Sequence, residues 1–162
     1  MSAGGEKPHK TNAMRCVETA GVPFEIRQYD VSDGNFDGEA AAEKIGMNPE
    51  AVLKTLVLTG DKGSHLVCCI PVCEELDLKK VARASGNKRV EMLPLKELLP
   101  MTGYVRGGCS PIGMKKAFPT YIDETAQLSE RIAVSAGVRG EQMVLAPEDL
   151  RRLASAEYAD LI

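Results

Sequence analysis

The sequence has no tryptophan, three phenylalanines and four tyrosines in 162 residues. So little aromatic surface offers no platform for a run of stacked bases, and any nucleic-acid contact must run through phosphate and ribose. Positive charge is not in excess either. The net charge is −3 at pH 7, so attraction to a polyanion has to come from local basic clusters rather than the field of the whole molecule. No apolar run approaches the ~20 residues a bilayer demands, and residues 1–10 carry no apolar stretch after their charges. The expectation is a soluble, cytoplasmic protein with no membrane partner. The five cysteines are odd in number, and Cys68 and Cys69 are adjacent, which fits reduced thiols better than a disulfide framework.

What is present reads as helices interspersed with strands, which predicts a single α/β domain with a mixed sheet. Residues 1–9 form a flexible N-terminal lead-in, and the domain runs over 10–162. Thr11 or Asn12 caps a short helix through Met14, Val17 and Ala20 that Gly21 and Pro23 end. Residues 24–29 alternate as a strand, 30–38 are a loop, and 39–44 a second helix stopped by Gly46. The clearest hairpin joins 52–59 to 64–72 through Gly60-Asp61-Lys62-Gly63, and these strands should be central. Helices follow at 76–85, with Gly86 as its end, and at 95–99 before Pro100. Val90 and Met92 fit a short strand; 120–123, 132–136 and 142–145 are three more. Ala146-Pro147 opens a last helix over 148–155.

Four glycines fall within eleven residues from Gly103 to Gly113, although each loses more backbone freedom on folding than any replacement would. Gly107 and Gly108 allow a ligand close to the backbone and can turn successive N–H groups into one concavity, a shape that holds anions or a developing oxyanion. Arg106 would stand beside it with a permanently charged donor fork. A plain turn between two strands is the competing reading. Lys54 interrupts the apolar run 52–58, either as a strand-start lysine reaching solvent or as a cation aimed into a pocket.

Cys109, close to Arg106, is the tempting nucleophile, but the two histidines, His9 and His65, are poorly placed to serve as its base. Ser110 lacks the G-x-S-x-G elbow. His65, Cys68, Cys69 and Cys73 are zinc-type ligands, yet along a strand Cys68 must face away from Cys69, and no metal or other cofactor is expected. Lys79, Lys80, Arg83, Lys88, Arg89, Lys115 and Lys116 make three basic clusters. If they share a face, they offer a footprint for an RNA backbone whose binding would weaken with salt.

Together these segments resemble the YbaK/EbsC family. The resemblance rests, in order, on Lys10-Thr11-Asn12, Ala20-Gly21-Val22-Pro23, Lys54-Thr55-Leu56, Glu75-Leu76-Asp77-Leu78-Lys79-Lys80, Lys88-Arg89-Val90-Glu91-Met92, Thr102-Gly103-Tyr104 through Gly108, Ser110-Pro111-Ile112-Gly113 and Val134-Ser135-Ala136-Gly137-Val138-Arg139-Gly140. It implies a mixed, strongly curved sheet flanked by helices, like the editing domain of bacterial prolyl-tRNA synthetases. It also implies hydrolysis of mischarged aminoacyl-tRNA in trans, with Cys-tRNA(Pro) and Cys-tRNA(Cys) as substrates. Lys54 would hold the 3′ end and Gly107 would meet the ester carbonyl with its backbone. Tyr29, Thr55, Gly108 and Ser135 would contact substrate. In the family's scheme the substrate's own thiol cleaves its ester, which makes Cys109 incidental. Alternatives are a deacylase for Ala-tRNA(Pro) or another small misacylated residue, and a non-catalytic module binding tRNA or a synthetase. Prolyl-tRNA synthetase is the candidate protein partner. Where some relatives carry an acidic residue after Arg-Gly, this chain has Glu141-Gln142, and which of them reaches the pocket is open.

Overall fold

The computed structural model describes residues 10–162; the lead-in 1–9 and His9 lie outside the described residues. The hairpin is the centre of the molecule, as expected. Strand β2 (Leu53–Gly60) runs antiparallel to β3 (His65–Pro71), with Lys54 opposite Ile70 and Thr55 opposite Cys69. Alternation sends Leu53, Val57, Val67 and Cys69 into one apolar cluster and Leu58, Leu66, Cys68 and Ile70 into another, so the two adjacent cysteines do face opposite ways. Strand β4 (Val90–Met92) adds antiparallel to β2, β5 (Thr120–Asp123) adds parallel to β3, and β8 (Glu157–Ala159) adds parallel to β5. A second sheet has the order β1 (Glu25–Gln28), β7 (Glu141–Leu145), β6 (Ile132–Ser135), all antiparallel. The mixed, curved sheet is thus a five-stranded and a three-stranded part, joined by a parallel bridge between Val52 and Ala133.

Helices close the faces. Helix α1 (Asn12–Ala20) is capped by Thr11, whose hydroxyl accepts the Met14 N–H at 3.1 Å, and ends at left-handed Gly21. It shares the core between the sheets with α5 (Pro147–Leu153) through Met14, Val17 and Leu150. Helix α2 (Gly38–Ile45) covers the outer face of the three-stranded sheet, with Ala42 in a cluster with Val52, Val72, Ala133 and Val144. Helix α3 (Leu78–Ser85) covers the outer face of the five-stranded sheet with Val81.

Three departures from the sequence reading have a clear physical cause. Helix α3 starts at Leu78 rather than 76 because Asp77 caps it, accepting the Lys79 and Lys80 N–H groups. Pro100 lies inside α4 (Leu98–Thr102) instead of following a helix, since a 3₁₀ turn (Leu95–Glu97) places it in the first turn of α4, where no intrahelical N–H is needed. Strand β8 had no sequence signal of its own; the buried Asp123 carboxylate anchors the chain beyond it by accepting the Leu161 N–H at 3.0 Å. No helix among the described residues is long and apolar enough to cross a membrane.

Candidate active site

The candidate site forms where a ladder stops. Val72 donates its N–H to the Val52 carbonyl, so the even-numbered residues of β2 turn their backbone groups to β3 and the odd-numbered ones turn theirs away. On that second edge β4 pairs with Leu58–Gly60, and the Leu93 N–H reaches the Val57 carbonyl at 3.0 Å. No partner among the described residues meets the N–H and C=O of Thr55. Across the gap, the Ala136 N–H bonds to the Glu141 carbonyl, so by the same alternation Ser135 of β6 turns its backbone away from β7. Beyond the Val52–Ala133 bridge, β2 and β6 diverge and leave a cleft with an open strand edge on each wall.

A cavity of about 970 Å³ fills this cleft. Lys54, Thr55, Gly107 and Ser135, all expected at the site, line it together, as do Arg106 and Cys109. One end is apolar, with Leu56, Met92, Leu93, Leu95 and Leu98. The other is polar, with Ser135 and Gln142 paired directly across β6 and β7 on one sheet face. This settles the choice at 141–142: Gln142 lines the cavity, while Glu141 lies on the other face at the rim, 3.4 Å from Gln28. Gln142 is 6% exposed and its Oε1 has no hydrogen-bond partner among the described residues.

Lys54 is half-buried on the face of β2 that also carries Val52 and Leu58, where cover passes from α2 to α3. It takes part in none of the ion pairs among the described residues. To the two alternatives left open by the sequence, the structure adds that Lys54 lies in the lining of the cavity.

The glycine run does not join two strands; it connects α4 to β5 and folds on itself. The Tyr104 N–H bonds to Thr102 Oγ1, and the Tyr104 hydroxyl donates to the Ile112 carbonyl at 2.6 Å. Within it, the Gly108 N–H bonds to the Val105 carbonyl at 2.9 Å, closing a tight turn whose third residue, Gly107, has φ +85°. Arg106 keeps a negative φ, so this is the type II arrangement. A Cβ on Gly107 would lie 2.4 Å from Phe36 Cδ2. Gly108 corrects the expectation: its N–H is spent inside the turn, it does not line the cavity, and a Cβ there would meet the Arg139 N at 3.0 Å. Its small size serves loop packing, and of the two glycines it is Gly107 whose N–H has no partner among the described residues.

Tyr29 lies near the cavity without being part of its wall. It lines a shallow depression beside the cavity with Gly140 and Glu141, and its hydroxyl is buried without a partner. Because the Tyr29 N–H bonds to the Gly140 carbonyl while Arg27 faces Gln142, Tyr29 and Gln142 are diagonal neighbours on one face.

None of Lys79, Lys80, Arg83, Lys88, Arg89, Lys115 and Lys116 lines the cavity. Lys80 is held by Asp160 and the Ile162 carbonyl. Cys109 is 8% exposed, and burial pushes its thiol up to about 11, an effect that Thr102 only partly offsets. Arg106 does not make it a thiolate. His65 bonds to Thr59 and meets Phe118 edge-on, away from the cavity.

Sequence reasoning missed the parts that shape the mouth. Lys44 of α2 gathers the loop before it, donating to the carbonyls of Asp30 at 2.7 Å and Asn35 at 2.9 Å and to the Asp33 carboxylate at 3.1 Å. That loop delivers Phe36 to the cavity wall, under the Arg139 guanidinium at 3.9 Å. Arg139 also donates Nε–H to the Arg106 carbonyl at 2.8 Å. No local pattern marks these residues, because their partners are remote in the chain.

The comparisons with known proteins point the same way. EbsC of Enterococcus faecalis, proposed to be a Cys-tRNA(Pro)/Cys-tRNA(Cys) deacylase, is 51% identical over 94% of this chain and 93% of its own. YwhH of Bacillus subtilis is 25% identical over 78% of each chain. A solved structure described as a proposed trans-editing enzyme for prolyl-tRNA synthetase superposes with a TM-score of 0.82 at 25% identity, covering 95% of this chain and 98% of that one. Residues 36–153 match the aminoacyl-tRNA editing domain, and the chain belongs to that family.

Proposed function

We propose that the protein is a trans-acting deacylase that removes cysteine from Cys-tRNA(Pro) and Cys-tRNA(Cys), and that the substrate's own thiol does the cutting. The carrying observation is a cavity that brings an unpaired ammonium, Lys54, together with an unpaired backbone N–H, that of Gly107, without an activated protein nucleophile. The name of the 51% identical relative supports cysteine as the cargo.

In this reading the apolar end takes the terminal adenosine, and the donor and acceptor of the Thr55 backbone meet the edge of its base. Lys54 holds the terminal nucleotide, and the ester carbonyl lies at the Gly107 N–H. The substrate sulfur attacks that carbonyl, the bond from carbonyl carbon to ribose oxygen breaks, and the thiol proton ends on the ribose oxygen. Free tRNA leaves with a cyclic thiolactone, which water then opens to cysteine. The protein's share is orientation and stabilisation of the oxyanion, where a single well-placed donor contributes roughly 10²–10³ in rate. Discrimination between tRNAs falls to contacts outside the cavity, either the basic residues or a partnership with prolyl-tRNA synthetase. Incubation with Cys-tRNA(Pro) tests the reading: free tRNA should accumulate over many turnovers, and an ester left intact would overturn it.

A further inference from the structure

The residue that orients the Gly107 N–H lies thirty-two positions away in sequence. In a trans peptide the C=O and the following N–H point in opposite directions, so whatever holds the Arg106 carbonyl also aims the Gly107 N–H. Arg139 holds it, through Nε at 2.8 Å. The guanidinium is itself fixed by the Phe36 ring at 3.9 Å, and that ring lies against Gly107.

Turn geometry makes this aim a two-state choice. Types I and II differ by rotation of the central peptide, which here is the Arg106–Gly107 bond; type II requires positive φ at the third residue, and type I does not. Gly107 can adopt either. In the observed type II turn the carbonyl faces Arg139 and the N–H is turned from it, and Gly107 itself lines the cavity. The rotated turn would put a carbonyl oxygen where the donor now stands, and repel a developing oxyanion.

We propose that Arg139 is a positioning residue that locks the Arg106–Gly107 peptide in the donor-inward orientation, with Phe36 as the plate that holds the guanidinium flat. This rests on the deacylase reading for its kinetic readout but not for its structural one. In Arg139→Ala, a crystal structure should show the Arg106 carbonyl rotated into the cavity. Turnover should fall by roughly 10- to 100-fold, up to the loss of one oxyanion donor, with KM changed less than about threefold because the donor acts mainly on the transition state. Added methylguanidinium should restore part of kcat to Arg139→Ala and none to the parent, and Arg139→Lys should lie between them. An unrotated peptide in Arg139→Ala, or a kcat loss that methylguanidinium does not relieve, would overturn the proposal. Were the parent protein inactive on every misacylated tRNA, the deacylase reading would fail while the peptide rotation still decided this one.

Discussion

The two edges of β2 are built from one stretch of chain and do opposite things. Toward β3 the ladder is complete from Leu53 to Thr59, and Leu53, Val57, Leu58, Leu66, Val67 and Ile70 along it are buried. On the other edge the ladder stops at Leu58, and the strand runs on beside a cavity with Lys54 and Thr55 exposed to it. A backbone without partners normally costs free energy or invites another strand. Here the gap is bordered by the glycine run, the loop before α2 and β6, so the unpaired groups meet whatever enters the cavity. The proposed function occupies the edge that folding left unfinished.

Substitutions in the stretch of β2 beside the cavity and in the stretch paired on both edges should therefore separate cleanly. Lys54→Ala should reduce turnover on the order of 10³, the upper range for a lost charge-stabilising contact, with the melting temperature within a degree or two of the parent by calorimetry. Leu58→Ala should do the reverse. Leu58 is fully buried, and the truncation should cost about 2–5 kcal/mol in denaturant titrations, while turnover per folded molecule stays near that of the parent. If Leu58→Ala lowered kcat as far as Lys54→Ala, the division of labour between the open and the fully paired stretch of β2 would be lost.

Titration sharpens the contrast more gently. Burial raises the Cys68 thiol to about 12 and the Cys109 thiol to about 11, from an ordinary value of 9.0. Below pH 9 both are protonated whether the chain is folded or not, and their contribution to stability is complete. As the pH climbs from there through 11 and 12, the unfolded chain ionises first and stability falls. Melting temperature should hold steady through neutral pH and drop above about 9, by a smaller amount in Cys109→Ala. The smallest effect concerns activity: Cys109→Ala should keep turnover within about threefold, because a thiol this reluctant to ionise is no nucleophile at neutral pH.

Much of the architecture was legible because its signals are local. The Thr11 cap, Gly21, Gly46 and Gly86 as helix ends, and the alternating hairpin each state their structure within a few residues. Strand β8 carries no such mark; it takes its place from β5 and Asp123. The site was legible in part. Lys54, Thr55, Gly107 and Ser135 converge on one cavity, but Gly108 turned out to serve packing, and Tyr29 stands beside the cavity rather than on its wall. The roles of Phe36 and Arg139 were not legible, since they exist only once residues about 70 and 30 positions from the glycine pair, and about 100 from each other, are folded together. Gln142 needed the register: its pairing with Ser135 decides that it, and not Glu141, points inward.

Serine and cysteine differ by one atom, and that atom is what the proposed chemistry turns on. Single-turnover assays with Cys-tRNA(Pro) and Ser-tRNA(Pro) at saturating protein compare two esters of nearly equal size in the same cavity. The account predicts rapid release of tRNA from the cysteinyl ester and almost none from the seryl ester. Equal rates for the two would contradict it, and would return the search to a nucleophile supplied by the protein or by water.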